Sequence, residues 1–155
     1  MSRSAAEWFR LYGESHQNPT NKLIHFICVP AIYFAIMGLL WQLPEPAFFP
    51  AWLNWAALSL LITLPFYWRL SSLLMFGMAL FSAGCFWLIA VLENAGISVL
   101  WTSVIVFVVA WFFQFVGHAV EGKKPSFFQD MQFLLIGPAW IMSFLFQKCG
   151  IALES

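Results

Sequence analysis

Only three of the 155 residues are histidine: His16, His25 and His118. A neutral imidazole offers one lone pair and one N–H near pH 7, which makes it the commonest metal ligand and a ready proton carrier. His25 and His118 lie inside long apolar stretches, where an ionisable group is costly and is a functional-site candidate by default. Around His118 the polar residues recur at helix intervals: Trp111, Gln114 and His118 share one face, and Glu121 follows one turn on. Gly117 leaves room beside His118 for a ligand or another backbone. Three imidazoles with a carboxylate nearby suit a borderline divalent ion such as Fe(II) or Zn(II). Each residue also has a plainer use. A histidine at a membrane interface serves as a polar tip among headgroups, and Lys123-Lys124 as an orientation signal or lipid-phosphate contact. Asn18 and Asn21 suit caps and turns, and Glu121 suits a solvated partner of the lysines.

The elements that must position these residues are membrane spans. The chain is 62% apolar and 9% charged, against about 45–50% and about 25% for a typical soluble domain. A soluble core of this length has too little interior to hide so much apolar surface. That excludes a soluble globular domain, a disordered chain, a coiled coil and a disulfide scaffold, and leaves an all-α integral membrane protein. The net charge of zero excludes a basic field for nucleic acid. Cys28, Cys85 and Cys149 are odd in number, far apart and without a CxxC, so they read as small apolar fillers.

The few charges cut the chain into runs long enough to cross a hydrocarbon core. The predicted spans are 19–44, 46–68, 70–92 and 94–120. A shorter segment, 131–147, is interrupted by Gly137-Pro138 and is either a re-entrant hairpin or a fifth span. With the N-terminus inside, Arg3, Arg10, Lys22, Arg69, Lys123 and Lys124 all fall on the cytoplasmic side, and the outer loops carry only Glu45 and Glu93. Residues 1–18 form an interfacial helix and turn: Ser4 and Glu7 have capping-box spacing, and Trp8, Phe9, Leu11 and Tyr12 give an aromatic face. Asn18-Pro19 reads as N-cap and first residue of the next helix, and Pro30 as a kink within it. In the third span Gly77, Ala79, Ala83 and Gly84 permit close helix approach. No repeat or linker divides the chain, so residues 1–155 form a single membrane domain. On this topology all three histidines meet at the cytoplasmic end: four spans put the start of the first beside the end of the fourth.

Two stretches carry a more specific signal. Residues 12–30, YGESHQNPTNKLIHFICVP, contain H-x-x-P-x-N-x-x-x-H-x-x-x-x-P, and residues 111–125, WFFQFVGHAVEGKKP, contain W-x-x-Q-F-x-G-H followed by an acid, a basic pair and Pro. Together they resemble the family of small membrane 2-hydroxy-fatty-acid dioxygenases, over nearly the whole chain in order and span count. The resemblance implies Fe(II)-dependent α-oxidation, in which a 2-hydroxy fatty acid and O2 give a fatty acid one carbon shorter. It carries His16, His25 and His118 over as iron ligands. Glu121 is a further catalytic candidate; its spacing from His118 differs by a residue from the yeast-type pattern, which leaves it open as a ligand, as a hydrogen-bond partner of a ligand, or as a lysine partner. Gln114, Asn21, Lys123 and Lys124 are candidate substrate-binding or ligand-orienting residues. The expected setting is a bacterial inner membrane. The expected partners are a 2-hydroxy fatty acid, membrane lipids and a second copy of the chain as a homo-oligomer.

Three other readings compete. A Zn-dependent lipid hydrolase would keep the site and use Glu121 as general base to a metal-bound water. A haem protein would use His25 and His118 as axial ligands. A structural membrane protein would use all three histidines as interfacial polar groups. Di-iron desaturases and hydroxylases need many more histidines than three.

Overall fold

The computed structural model describes residues 4–124 and 133–151. Arg3, Pro125 of the second motif, and residues 131 and 132 of the expected C-terminal segment lie outside them. The described residues form six helices and no strand: α1 (Ala5–Gly13), α2 (Pro19–Trp41), α3 (Trp55–Leu70), α4 (Ser72–Asn94), α5 (Val99–Glu121) and α6 (Phe133–Lys148).

Helices α2, α4 and α5 have 23 residues each, about 34 Å, and are long and apolar enough to cross a hydrocarbon core of about 30 Å. The protein is membrane-embedded. Helices α3 and α6 have 16 residues each, about 24 Å, and fall short of that length.

The expected second span, 46–68, is therefore corrected: its first nine residues are not helical, and α3 begins at Trp55. The reason is Pro44, Pro46 and Pro50, each of which lacks a backbone donor and biases the preceding residue toward extended backbone. The segment instead makes turns, with Phe49 N–H donating to the Pro46 carbonyl at 2.9 Å and Leu53 N–H to the Pro50 carbonyl at 2.8 Å. Helix starts elsewhere follow local chemistry. Asn18 caps α2 by accepting from Thr20 N–H at 2.9 Å, with Pro19 as the first helical residue. Ser98 caps α5 by accepting from Trp101 N–H, after a turn that Gly96 permits at φ +70°.

The centre of the bundle is the antiparallel pair α2 and α5. Small residues bring them together at both ends, Gly38 lying against Ser103 and Val99, and Gly117 against Asn21 and Ile24. Helix α4 joins the pair through a buried polar link: the Tyr33 hydroxyl donates to Ser82 Oγ at 2.7 Å, and Ser82 Oγ donates to the Met78 carbonyl. Helix α6 packs on α1, α2 and α4. Of the small residues expected to admit a neighbour, Gly77 does so, with Phe146 and Met142 of α6 against it, whereas Gly84 faces open space.

The aromatic face of α1 meets protein rather than lipid. Trp8 and Tyr12 are buried, Trp8 edge-on to Phe133 at 5.4 Å and Tyr12 against Trp140 at 5.3 Å. This docking holds the end of α1, and hence the turn carrying His16, against the bundle.

Candidate metal centre

Three elements each deliver one histidine to the same place. His16 stands in the turn after α1, His25 two turns into α2, and His118 in the last turn of α5. Their exposures are 1%, 1% and 5%. One ring nitrogen from each lies within 4.8 Å of the others, and the ring centroids are 4.2, 4.8 and 5.2 Å apart.

The hydrogen bonds around the rings decide which nitrogens face inward. His16 Nδ1 lies 2.6 Å from the Tyr12 carbonyl and His25 Nδ1 lies 2.9 Å from the Asn21 carbonyl. A carbonyl only accepts, so in both rings Nδ1 carries the proton and Nε2 keeps its lone pair. Donation of the non-ligating N–H to a carbonyl is the usual arrangement behind a metal-bound histidine. His16 Nε2 and His118 Nδ1 are buried and have no hydrogen-bond partner among the described residues. A buried orphan of this kind is rare and calls for an occupant. Burial pushes the His16 pKa down to about 4, outweighing the Tyr12 carbonyl bond that raises it, so its imidazole is neutral and ligand-ready at pH 7. These donors fit a divalent metal ion.

The surroundings hold the rings still. Tyr12 stacks on His16 at 4.2 Å with an 11° interplanar angle, and burial raises its phenol pKa, keeping it uncharged. Gln114, 6% exposed and one turn before His118, lines the same cavity. That cavity, about 80 Å³, runs from the histidines along Val29, Ile32 and Ile36 of α2, with Phe133, Leu134 and Pro138 of α6 opposite.

Glu121 is placed beside this centre, and both its oxygens are engaged elsewhere. Oε1 accepts from Gln17 N–H at 2.8 Å; Oε2 accepts from Asn18 N–H at 2.8 Å and from the Asn21 amide at 3.0 Å. The carboxylate thus clamps the end of α5 to the His16 turn and the start of α2. Asn21, fully buried, also donates to the Ser15 carbonyl at 3.2 Å. Its side chain braces the same junction and does not line the cavity. Lys123 Nζ donates to the Glu14 carbonyl at 2.6 Å, and Lys123 and Lys124 are exposed and outside the cavity lining. The structure therefore brings His16, His25, His118 and Gln114 together and leaves Asn21, Glu121, Lys123 and Lys124 around the rim.

Sequence reasoning missed two contributors. Tyr12 supplies both a ring face and a carbonyl to His16; the sequence marks it only as part of the aromatic face of the first helix and as the head of the first motif. The wall formed by α6 was hinted at by Gly137-Pro138: Gly137 has no Cβ where the Tyr12 hydroxyl and Val29 press against it.

The sequence profile of a family described as 2-hydroxy-palmitic acid dioxygenase Mpo1-like matches residues 2–149. No curated protein and no solved structure matches the chain significantly.

Proposed function

The chain belongs to the Mpo1-like family, and from that premise we propose that it is an Fe(II)-dependent dioxygenase that shortens a 2-hydroxy fatty acid by one carbon. The observation that supports this most is the convergence of three buried histidines, with lone pairs unspent, at the polar end of an otherwise apolar cavity. His16 and His25 hold the metal through Nε2, and His118 through Nδ1, its buried unpartnered nitrogen. Fe(II) with three protein ligands keeps open positions and supplies the redox chemistry with O2 and a chelating 2-hydroxy carboxylate.

The rest falls to the chain's own residues. The Tyr12 and Asn21 carbonyls fix two imidazoles in the tautomer that presents Nε2. Gln114 offers an amide N–H to the substrate carboxylate, at the depth where His118 meets the cavity. Val29, Ile32 and Phe133 exclude water from the reacting end. Glu121 acts on the site through the turn it holds. The basic residues Lys22, Arg69, Lys123 and Lys124 orient the histidine end toward the cytoplasm of a bacterial inner membrane.

Specific observations disfavour the rival readings. A hydrolase needs a free general base, whereas Glu121 accepts three hydrogen bonds from Gln17, Asn18 and Asn21. A cavity of about 80 Å³ has no room for a haem macrocycle between His25 and His118. Interfacial polar tips would be solvated, not 1–5% exposed.

The test is a single-turnover assay of detergent-purified protein, loaded anaerobically with Fe(II), given 2-hydroxypalmitate and then O2. Pentadecanoate detected by mass spectrometry, dependent on Fe(II), O2 and an intact His118, is the expected result. Stable zinc in place of iron, or turnover undiminished in His118→Ala, would overturn the reading.

A further inference from the structure

The cavity is polar at one end only, and it is small. Its volume is about 80 Å³. Sites that enclose a whole drug-sized ligand run from about 300 Å³ upward. The space therefore takes a head group and the first carbons behind it, and no more of a long chain.

The lining shows where the remainder goes. Exposure is 6% or less at His16, His25, His118 and Gln114, and rises to 38% at Ile36 and 43% at Leu134 at the other end. Ile36 lies 11 residues beyond His25 on α2, about 16 Å along the axis. Ile36 stands about 25 Å along the roughly 34 Å of α2, about 9 Å past its midpoint, so this open end still sits at the depth of hydrocarbon. The histidine end is closed by protein: the Glu121 clamp covers the His16 turn, and Tyr12 stacks on His16.

We propose that the cavity is a head-group site entered sideways from the lipid between Ile36 and Leu134, leaving most of the acyl chain in the bilayer. This rests on the function proposed above and adds the route and the specificity. The protein selects for the carboxylate, the 2-hydroxyl and the carbons next to them, and is indifferent to chain length beyond the mouth. Its substrates are amphiphiles already dissolved in the membrane, and branching close to the head excludes them.

The test uses full-length protein in lipid nanodiscs, loaded with Fe(II) and kept anaerobic. Two 2-hydroxypalmitic acid probes are cross-linked in place, one with a diazirine at carbon 5 and one at carbon 15, and the labelled peptides are mapped. The carbon-5 probe should label the Val29–Ile36 and Phe133–Pro138 stretches at least tenfold more than the carbon-15 probe, which should label lipid. Ile36→Trp with Leu134→Trp should cut carbon-5 labelling about tenfold with metal content unchanged, and Leu80→Trp on the exposed face of α4 should not. Equal labelling of the cavity by both probes, or by neither, overturns the proposal. Full labelling in the double variant does so too. If that variant loses its metal, the comparison of the two probes on the wild type decides. Cavity labelling by carbon 5 without chain shortening in the turnover assay would refute the dioxygenase reading and leave this route standing.

Discussion

Gly117→Ala perturbs the junction on which the metal centre depends, and its effect follows from the packing. A Cβ at residue 117 overlaps Asn21 Oδ1 and lies 3.4 Å from Ile24 Cδ1, so something must move. Asn21 cannot swing aside freely, because its amide donates to the Ser15 carbonyl at 3.2 Å and to Glu121 Oε2 at 3.0 Å. Breaking the neutral bond costs about 1 kcal/mol and the charge-assisted one about 1.5–3 kcal/mol. If Asn21 holds, α2 and α5 part instead, at an overpacking cost of about 1–3 kcal/mol. The first route destabilises the protein by about 2.5–4 kcal/mol and the second by about 1–3 kcal/mol. It also disturbs His25, whose Nδ1 is held by the Asn21 carbonyl, and loss of a hydrogen bond that orients a metal-binding imidazole typically weakens metal binding about 10–100-fold. Thermal unfolding in detergent and anaerobic titration with Fe(II), or with Co(II) as a spectroscopic substitute, read both effects. Gly84→Ala is the control, since a Cβ there meets nothing within 4 Å. Metal affinity within twofold of wild type together with an unshifted transition would refute the reasoning.

Three further outcomes are expected. Glu121→Gln should lose less metal affinity than Glu121→Ala, because its one amide oxygen still accepts from Asn18 N–H and the Asn21 amide while only the Gln17 N–H is left facing a donor, whereas Glu121→Ala should lose at least tenfold; equal loss in both would point to direct ligation, which metal titration of the pair distinguishes. In the metal-free protein, the unfolded imidazole of residue 16 takes a proton near pH 6.5 and the folded one resists until about pH 4, so the His16 contribution is complete above pH 6.5. It is lost progressively between pH 6.5 and 4, by about 3 kcal/mol, and chemical unfolding at pH 7 and pH 4 should show that loss, a pH-independent midpoint arguing against it. Tyr33→Phe removes a donor to Ser82 Oγ, which keeps its own bond to the Met78 carbonyl; a loss of about 0.6–1.7 kcal/mol in thermal stability with metal binding intact is expected, and loss of metal would tie this link to the site.

The candidate site was legible because its ingredients are few and sharply placed. In a chain with three histidines, two inside apolar runs, the parity of the spans already sends all three to one end. Helices α2 and α5 followed from charge-free runs, and the α2 start from Asn18-Pro19. The α3 start was not legible from charge alone, because Pro46 and Pro50 sit inside the charge-free run 46–68, which is long enough for a span. Glu121 was read as a candidate for chemistry on its nearness to His118, yet its partners Gln17 and Asn18 are about a hundred residues away in the chain.

Residue type and local order by themselves determined that this is a membrane protein, where its long helices run, and which imidazoles face a common end. Those properties are set by transfer cost and backbone sterics acting over a few turns. Only the tertiary structure decided which face of α1 meets α6, which histidine nitrogens stay unpaired, and that Glu121 clamps a turn. A helix apolar on every side carries no periodic mark of its buried face, so its partners are chosen by small residues and polar links that meet across the bundle. The cavity wall contributed by Phe133, Leu134 and Pro138 exists only once α6 has docked against α1 and α2.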